Sequence, residues 1–179
     1  MNSIESSQKD IFERFKDKLE ELKETLPPLG DTLGNSCAAN TLDNILDVLN
    51  IRDSKKHYFH NLAVPFSGFG ASQTRNGWKG PCGVVSGAIA GIGIIMGGHE
   101  QTNRENVPLV FTKALRFCDK FEQKYGSLNC LDLCGHDQSK EYRKYVEDKV
   151  WEKICHHMVI YAIEVVMKLT KKDLKTKWK

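Results

Sequence analysis

Apolar and polar positions along this chain recur mostly with the period of a helix. From about Ile4 to Leu26, the residues Ile11, Phe12, Phe15, Leu19 and Leu22 form one stripe among Lys and Glu, which predicts an amphipathic helix. Ser7, with Asp10 three residues on, is its expected cap, and Pro27, Pro28 and Gly30 end it. A second helix is predicted from Cys37 to Leu49, capped by Asn35 or Ser36, with Ala38, Leu42, Ile45, Leu46 and Leu49 toward the core. A shorter one starts at Asp53 and runs to Ala63, carrying His57 and His60. Between Glu105 and Tyr125 the inward stripe reads Phe111, Ala114, Leu115, Cys118, Phe121 and Tyr125, and Gly126 stops the helix. Ser127 to His136 reads as a short turn whose Cys130 and Cys134, four apart, share one face of a helical turn. One long helix is predicted from Lys140 to Leu169, with Val150, Trp151, Ile154, Cys155, Met158, Ala162, Val165, Val166 and Leu169 inward.

Pro81 to Met96 breaks the amphipathic pattern, because it is apolar on every side and is therefore expected inside the protein. Gly83, Gly87 and Gly91 recur every four residues and leave one face bare, so another helix or a cofactor can come close. Pro81 suits a first helical position, which puts Cys82 in the first turn. Unpaired backbone N–H groups there favour an anion, which makes Cys82 the candidate catalytic thiolate. The stretch before it, Phe66 to Gly80, is a long glycine-rich loop. Loops of that length in compact domains usually have a function. Gly68, Gly70, Gly80 and Gly83 are its candidate cofactor-binding positions, where backbone N–H groups can approach a ligand, and Phe66, Phe69 and Trp78 would shield it. It is not a phosphate loop, having no Gly-Lys-Ser/Thr ending. No strand pattern of convincing length and no internal repeat is present. The expected class is all-α, a compact helical bundle with this loop between core helices.

Composition adds limits. The 179 residues suit one domain, read as an N-terminal helical extension (1–30), a four-cysteine helical domain (31–170) and a basic, solvated tail (171–179). A hydrophobic content of 40% is enough for a core, and a net charge of +3, spread among mixed charges, does not indicate nucleic acid. The apolar run to Met96 is too short to span a bilayer, and the acidic start does not resemble a signal peptide, so the expected location is the cytoplasm. The lysines from Lys168 to Lys179 offer a dock for an acidic redox partner, with a solvated tail as the simpler reading, and self-association is a further expectation. Six cysteines in a reducing compartment indicate metal binding or redox chemistry rather than structural disulfides. No Gly-x-Ser-x-Gly elbow and no His-Glu-x-x-His helix supports a hydrolase.

Four cysteines come from four separate segments. Cys37 and Cys82 open helices, Cys130 sits in the short turn and Cys155 faces inward from the last helix. Cys118 reads as a small core residue, and whether Cys134 joins the others is open. Four thiolates suit zinc or an iron–sulfur cluster, and two or three suit a redox relay. Spacing alone leaves all three open, because no Cys-x-x-Cys knuckle occurs. The order of motifs resembles the family of redox-active proteins named for its pattern, C_GCAxxG_C_C. Asn35-Ser36-Cys37-Ala38 matches its first cysteine and Cys82-Gly83-Val84-Val85-Ser86-Gly87 its central motif. Phe121 to Tyr125 with Gly126, Ser127 and Cys130 matches the third cysteine, and Cys155 the fourth. Val84 stands where Ala is usual, and Gln73 to Lys79 is less glycine-rich than the pattern. The resemblance implies a helical redox or electron-transfer protein with an iron–sulfur cluster on Cys37, Cys82, Cys130 and Cys155. Metal-free thiol–disulfide chemistry at Cys82, or a zinc staple aided by His136, His156 or His157, are the alternatives.

Overall fold

In the computed structural model, residues 9–25, 36–51, 53–67 and 80–178 are described. The regular elements among them are helical, joined by one isolated antiparallel bridge between Pro81 and Asn129, so the all-α expectation holds. The helices are α1 (Ile11–Glu24), α2 (Cys37–Val48), α3 (Asp53–Ala63), α4 (Gly83–Gly97), α5 (Val107–Tyr125), α6 (Cys130–Cys134), α7 (Gln138–Glu147), α8 (His156–Leu169) and α9 (Lys171–Lys177). Most of the glycine-rich loop, residues 68–79 with Gly68 and Gly70, lies outside the described residues.

The bundle is built around α4. Val84, Ala88, Ile92 and Ile95 are fully enclosed, and burying each Val or Ile contributes roughly 1.5–3 kcal/mol. Its glycine face is covered by α2. A Cβ on Gly87 would drive into the Ala38 carbonyl, one on Gly91 into the Ile45 side chain, and one on Gly83 would lie 3.1 Å from Cys37 Cβ. The bare face therefore serves helix packing along its length. Helices α5 and α8 close other sides of α4, and α1 packs on α8 and α2 with Ile11, Phe15, Leu19 and Leu22 inward. The cap of α1 is Asp10, whose N–H donates to the Glu13 carboxylate at 3.1 Å; Ser7 lies outside the described residues. Buried His156 ties α1 to α8, its Nε2 standing 2.6 Å from the Leu22 carbonyl.

Four details depart from the sequence expectations. Pro81 precedes α4 in the bridge to Asn129, and Cys82 is the extended N-cap, because its N–H donates to the Leu128 carbonyl at 2.7 Å. Helix α5 departs in its first half: Phe121, Cys118 and Tyr125 pack inward as expected and Phe117 joins them, while Phe111 and Leu115 are 63% and 65% exposed. The long last helix is broken, since α7 ends at Glu147 and Lys149 adopts a left-handed φ of 54°. A wide π-type turn, Trp151–Cys155, then leads into α8, and its extra residue brings both Trp151 and Cys155 inward. Finally, residues 171–178 dock on the core. Leu174 and Trp178 are buried, Trp178 Nε1–H donates to the Ile95 carbonyl at 3.0 Å, and Lys177 Nζ donates to the Met96 carbonyl. Those two carbonyls lie at the end of α4, where intrahelical partners run out. Among the described residues no helix is long and apolar enough to cross a membrane.

Gly87→Ala and Gly93→Ala separate packing from propensity. Gly93 has nothing within 4 Å of its missing Cβ, so alanine there is expected to stabilise by about 0.5–1 kcal/mol. Alanine at Gly87 is expected to destabilise by roughly 1–3 kcal/mol, because the obstacle is backbone and cannot swing aside. Urea denaturation of the two variants checks the opposite signs.

Candidate functional site

Each thiol is placed by a helix end or a turn. Cys37 is the first residue of α2, where Ser36 Oγ accepts the Ala39 N–H at 2.9 Å and Ser67 Oγ accepts the Ala38 N–H at 2.8 Å. Cys82 is the N-cap of α4, in extended conformation, and makes no side-chain cap hydrogen bond; the backbone N–H groups of Val84 and Val85 at the helix start act on its thiol electrostatically. Gly83 makes room for Cys37 beside it, and Gly80 is buried just before the bridge. Cys130 and Cys134 begin and end the single turn α6, which leaves through Gly135 at φ 72°. Cys155 ends the π-type turn, and α6 packs against that turn.

These elements bring Cys37, Cys82, Cys130 and Cys155 together, and Cys134 with them. All are free thiols, enclosed except for part of Cys37. They stand in two close pairs. Cys130 Sγ lies 4.0 Å from Cys134 Sγ, and Cys37 shares a hydrogen bond with Cys155. Cys82 lies within electrostatic reach of both pairs. Cys118 is elsewhere, half-buried on α5 beside Asp119 and Glu122 and packed against the edge of the core, in keeping with the expected small core residue.

Within each pair one sulfur holds a proton for the other. The hydrogen bond to Cys155, then burial, hold the Cys37 thiol well above its ordinary range. The same bond, aided by the Tyr145 hydroxyl 3.5 Å away, lowers Cys155 despite its burial. The hydrogen bond to Cys134 and burial likewise push Cys130 up. Cys134 is drawn down to about 6, first by Cys130 and then, against burial, by the backbone and ring of His136. Burial pushes Cys82 up to about 12, outweighing the two N–H groups at the helix start. The lowered thiol expected at Cys82 is not there; the two lowered thiols are Cys134 and Cys155. Burial and the neighbouring thiols keep the Tyr145 hydroxyl protonated.

Two of the three histidines considered as ligands have a ring nitrogen engaged: His156 Nε2 stands 2.6 Å from the Leu22 carbonyl, its buried Nδ1 having no partner among the described residues, and His136 Nε2 pairs with Asp148 at 3.3 Å. His157 is exposed. Among the described residues no three His, Cys, Asp or Glu side chains close around a single metal-ion position. Sequence reasoning missed Tyr145 and Ser67. A lone Tyr in a polar helix carries no signal, and only the fold shows that it reaches Cys155.

A family model described as "Putative redox-active protein (C_GCAxxG_C_C)" matches residues 36–169, from the cap of α2 to the end of α8. The chain belongs to the C_GCAxxG_C_C family. No curated protein and no solved structure matches it. The match holds every thiol of the cluster and leaves α1 and α9 outside. As a member of a redox-active family, the chain carries redox-capable residues in its buried interior rather than in an open cleft.

In the metal-free protein the pair Cys130/Cys134 is expected to lose its first proton near pH 6. The lowered Cys134 adds stability that is lost as the pH falls through 6, whereas above 9 the raised Cys130 acts the other way, because the unfolded chain gives up a proton that the folded pair keeps. Ultraviolet thiolate absorbance, which needs no access for a reagent, is expected to show one thiolate titrating near pH 6. Cys134→Ser should remove that step, and an unchanged curve in the variant would place the thiolate elsewhere.

Proposed function

We propose that the chain is an electron-transfer protein whose buried thiols, Cys37, Cys82, Cys130 and Cys155, hold an iron–sulfur cluster. The observation that carries this reading is the gathering of thiols from four segments in one enclosed place, arranged in pairs. A multi-atom group with thiolates at its corners also suits a constellation in which no three ligands surround one ion. The raised thiols supply a further reason. Several enclosed thiolates cannot form together without positive charge, so iron would take the place of the protons now held by Cys37, Cys82 and Cys130.

When bound, such a cluster supplies one-electron chemistry. The protein's own contributions are separate. The positive start of α4 beside Cys82 and the Tyr145 hydroxyl, 3.5 Å from Cys155 and able to donate to it, both favour the more reduced state. Buried Tyr145, Trp151 and Met158 keep water out. Gly83 acts by close approach at the start of α4, and Gly80 is buried just before it.

The pairing also supports a second reading, thiol–disulfide exchange without metal. There Cys134, lowered to about 6, attacks an external disulfide, and Cys130 resolves the mixed disulfide. The pair ends as one S–S bond and the external disulfide as two thiols. Cys82 then serves as a neighbour, not the nucleophile.

Oxygen-free purification with visible spectroscopy and iron, sulfide and zinc analysis separates the two. Broad visible absorbance with matching iron and sulfide is expected, with most of both lost in Cys37→Ser, Cys82→Ser, Cys130→Ser and Cys155→Ser. Full iron retention in all four single variants would overturn the ligand set. A colourless protein that takes up no iron and sulfide on reconstitution, but forms a Cys130–Cys134 disulfide with oxidised glutathione, would decide for exchange.

A further inference from the structure

Helix α5 carries two apolar rows, and the fold uses one of them. Val110, Phe117 and Phe121 pack in the core, with Phe117 and Phe121 fully buried. Pro108, Phe111, Leu115 and Cys118 form a second row with alternating steps of three and four, the spacing of a helix–helix seam, its last member Cys118 half-buried against the core's edge. Phe111 and Leu115 in that row are 63% and 65% exposed. Single exposed apolar residues need no explanation, but a row at seam spacing is a surface built to be covered.

The ends of the row say what covers it. The turn before α5 already has helical sense, since the Asn106 N–H donates to the Asn103 carbonyl and Asn106 lies in the α region. It places Arg104 one step before Pro108, and Glu122 lies one step after Cys118. Both are exposed, and neither forms an ion pair among the described residues. The row is thus positive at one end, apolar in the middle and negative at the other. Turned end over end, such a row complements itself. Phe111 meets Leu115 of the second copy at the centre, Pro108 meets Cys118, and Arg104 meets Glu122 at both ends. A parallel arrangement would set Arg104 on Arg104 and Glu122 on Glu122. Lys113, beside the row, is already engaged, donating to the Leu169 carbonyl at 2.7 Å.

We infer that two copies of this chain pair through α5, antiparallel about a twofold axis, with Phe111 and Leu115 at the centre and an Arg104–Glu122 bridge at each end. The pairing covers Cys118, the thiol that lies away from the cluster, and leaves the cluster thiols of each copy to their own bundle. It does not depend on what those thiols hold.

Sedimentation equilibrium of the full chain tests the pairing. The wild type is expected to be a dimer, and Leu115→Glu a monomer with unchanged helical circular dichroism, because the residue is outside the core. Arg104→Glu or Glu122→Arg alone is expected to weaken the dimer roughly tenfold, since each reversal acts at two symmetric bridges. Combining the two reversals is expected to restore it. A wild type that stays monomeric at its highest soluble concentration would overturn the pairing. So would a dimer indifferent to Leu115→Glu. A double reversal no tighter than either single one would overturn the antiparallel register.

Discussion

Helices α2 and α4 meet at backbone distance because three glycines leave α4 without Cβ atoms along the side that α2 covers. The contact is unforgiving, since what faces Gly87 is a carbonyl oxygen of α2 rather than a side chain that could rotate. The positions of the thiols follow from it. Cys37 heads α2 and Cys82 caps α4, and the two helix starts lie side by side only while Gly83 carries no Cβ, since one there would lie 3.1 Å from Cys37 Cβ. Were the helices spaced as two leucine-faced helices are, the two thiols would move apart by the width of a side chain. The glycine spacing is thus a condition of the site as well as of the core.

The second constraint is electrostatic. Enclosing several thiols is inexpensive while they are protonated, because a thiol behaves as a small apolar group. Ionising them is not, which is why Cys37, Cys82 and Cys130 hold their protons so firmly. The protein lowers only Cys134 and Cys155, each through a neighbouring thiol's proton, with Tyr145 helping Cys155. A helix start is often taken as enough to ionise a cysteine. At Cys82 the backbone N–H groups of the helix start pull the thiol down, and burial still wins. The field of a helix end acts over about one turn, and desolvation acts from every side.

Much of this was legible in the sequence. The glycine repeat announced a close neighbour for α4, and the neighbour is α2. The family pattern named the thiols that converge, which no spacing rule could do, since segments far apart in sequence carry no mutual register. Three features were hidden for physical reasons. The inward side of the first half of α5 could not be read from periodicity, because Phe111, Leu115 and Phe117, Phe121 offer two apolar rows and only the fold chooses. The break after α7 turns on Lys149 in a left-handed conformation that no glycine or proline advertises. The lysines of the last segment suggested solvation, yet Leu174 and Trp178 between them anchor α9 on the end of α4.

That break is what gives the enclosed thiols a boundary toward the surface. Had the last helix run on unbroken, α7 would point away from the bundle as a continuation of α8. Instead the chain folds back, and Tyr145 lies buried with its hydroxyl on Cys155. Tyr142, one turn earlier, is 57% exposed and stacks on Tyr145, with ring centroids 6.4 Å apart. Two aromatic rings therefore lead from solvent to a cluster thiol. The lysines of α9 sit at the opposite end of α4 from Cys82, about 20 Å away by the rise of a fifteen-residue helix. The charge that drew attention in the sequence lies far from the thiols, and the uncharged rings of α7 lie next to them.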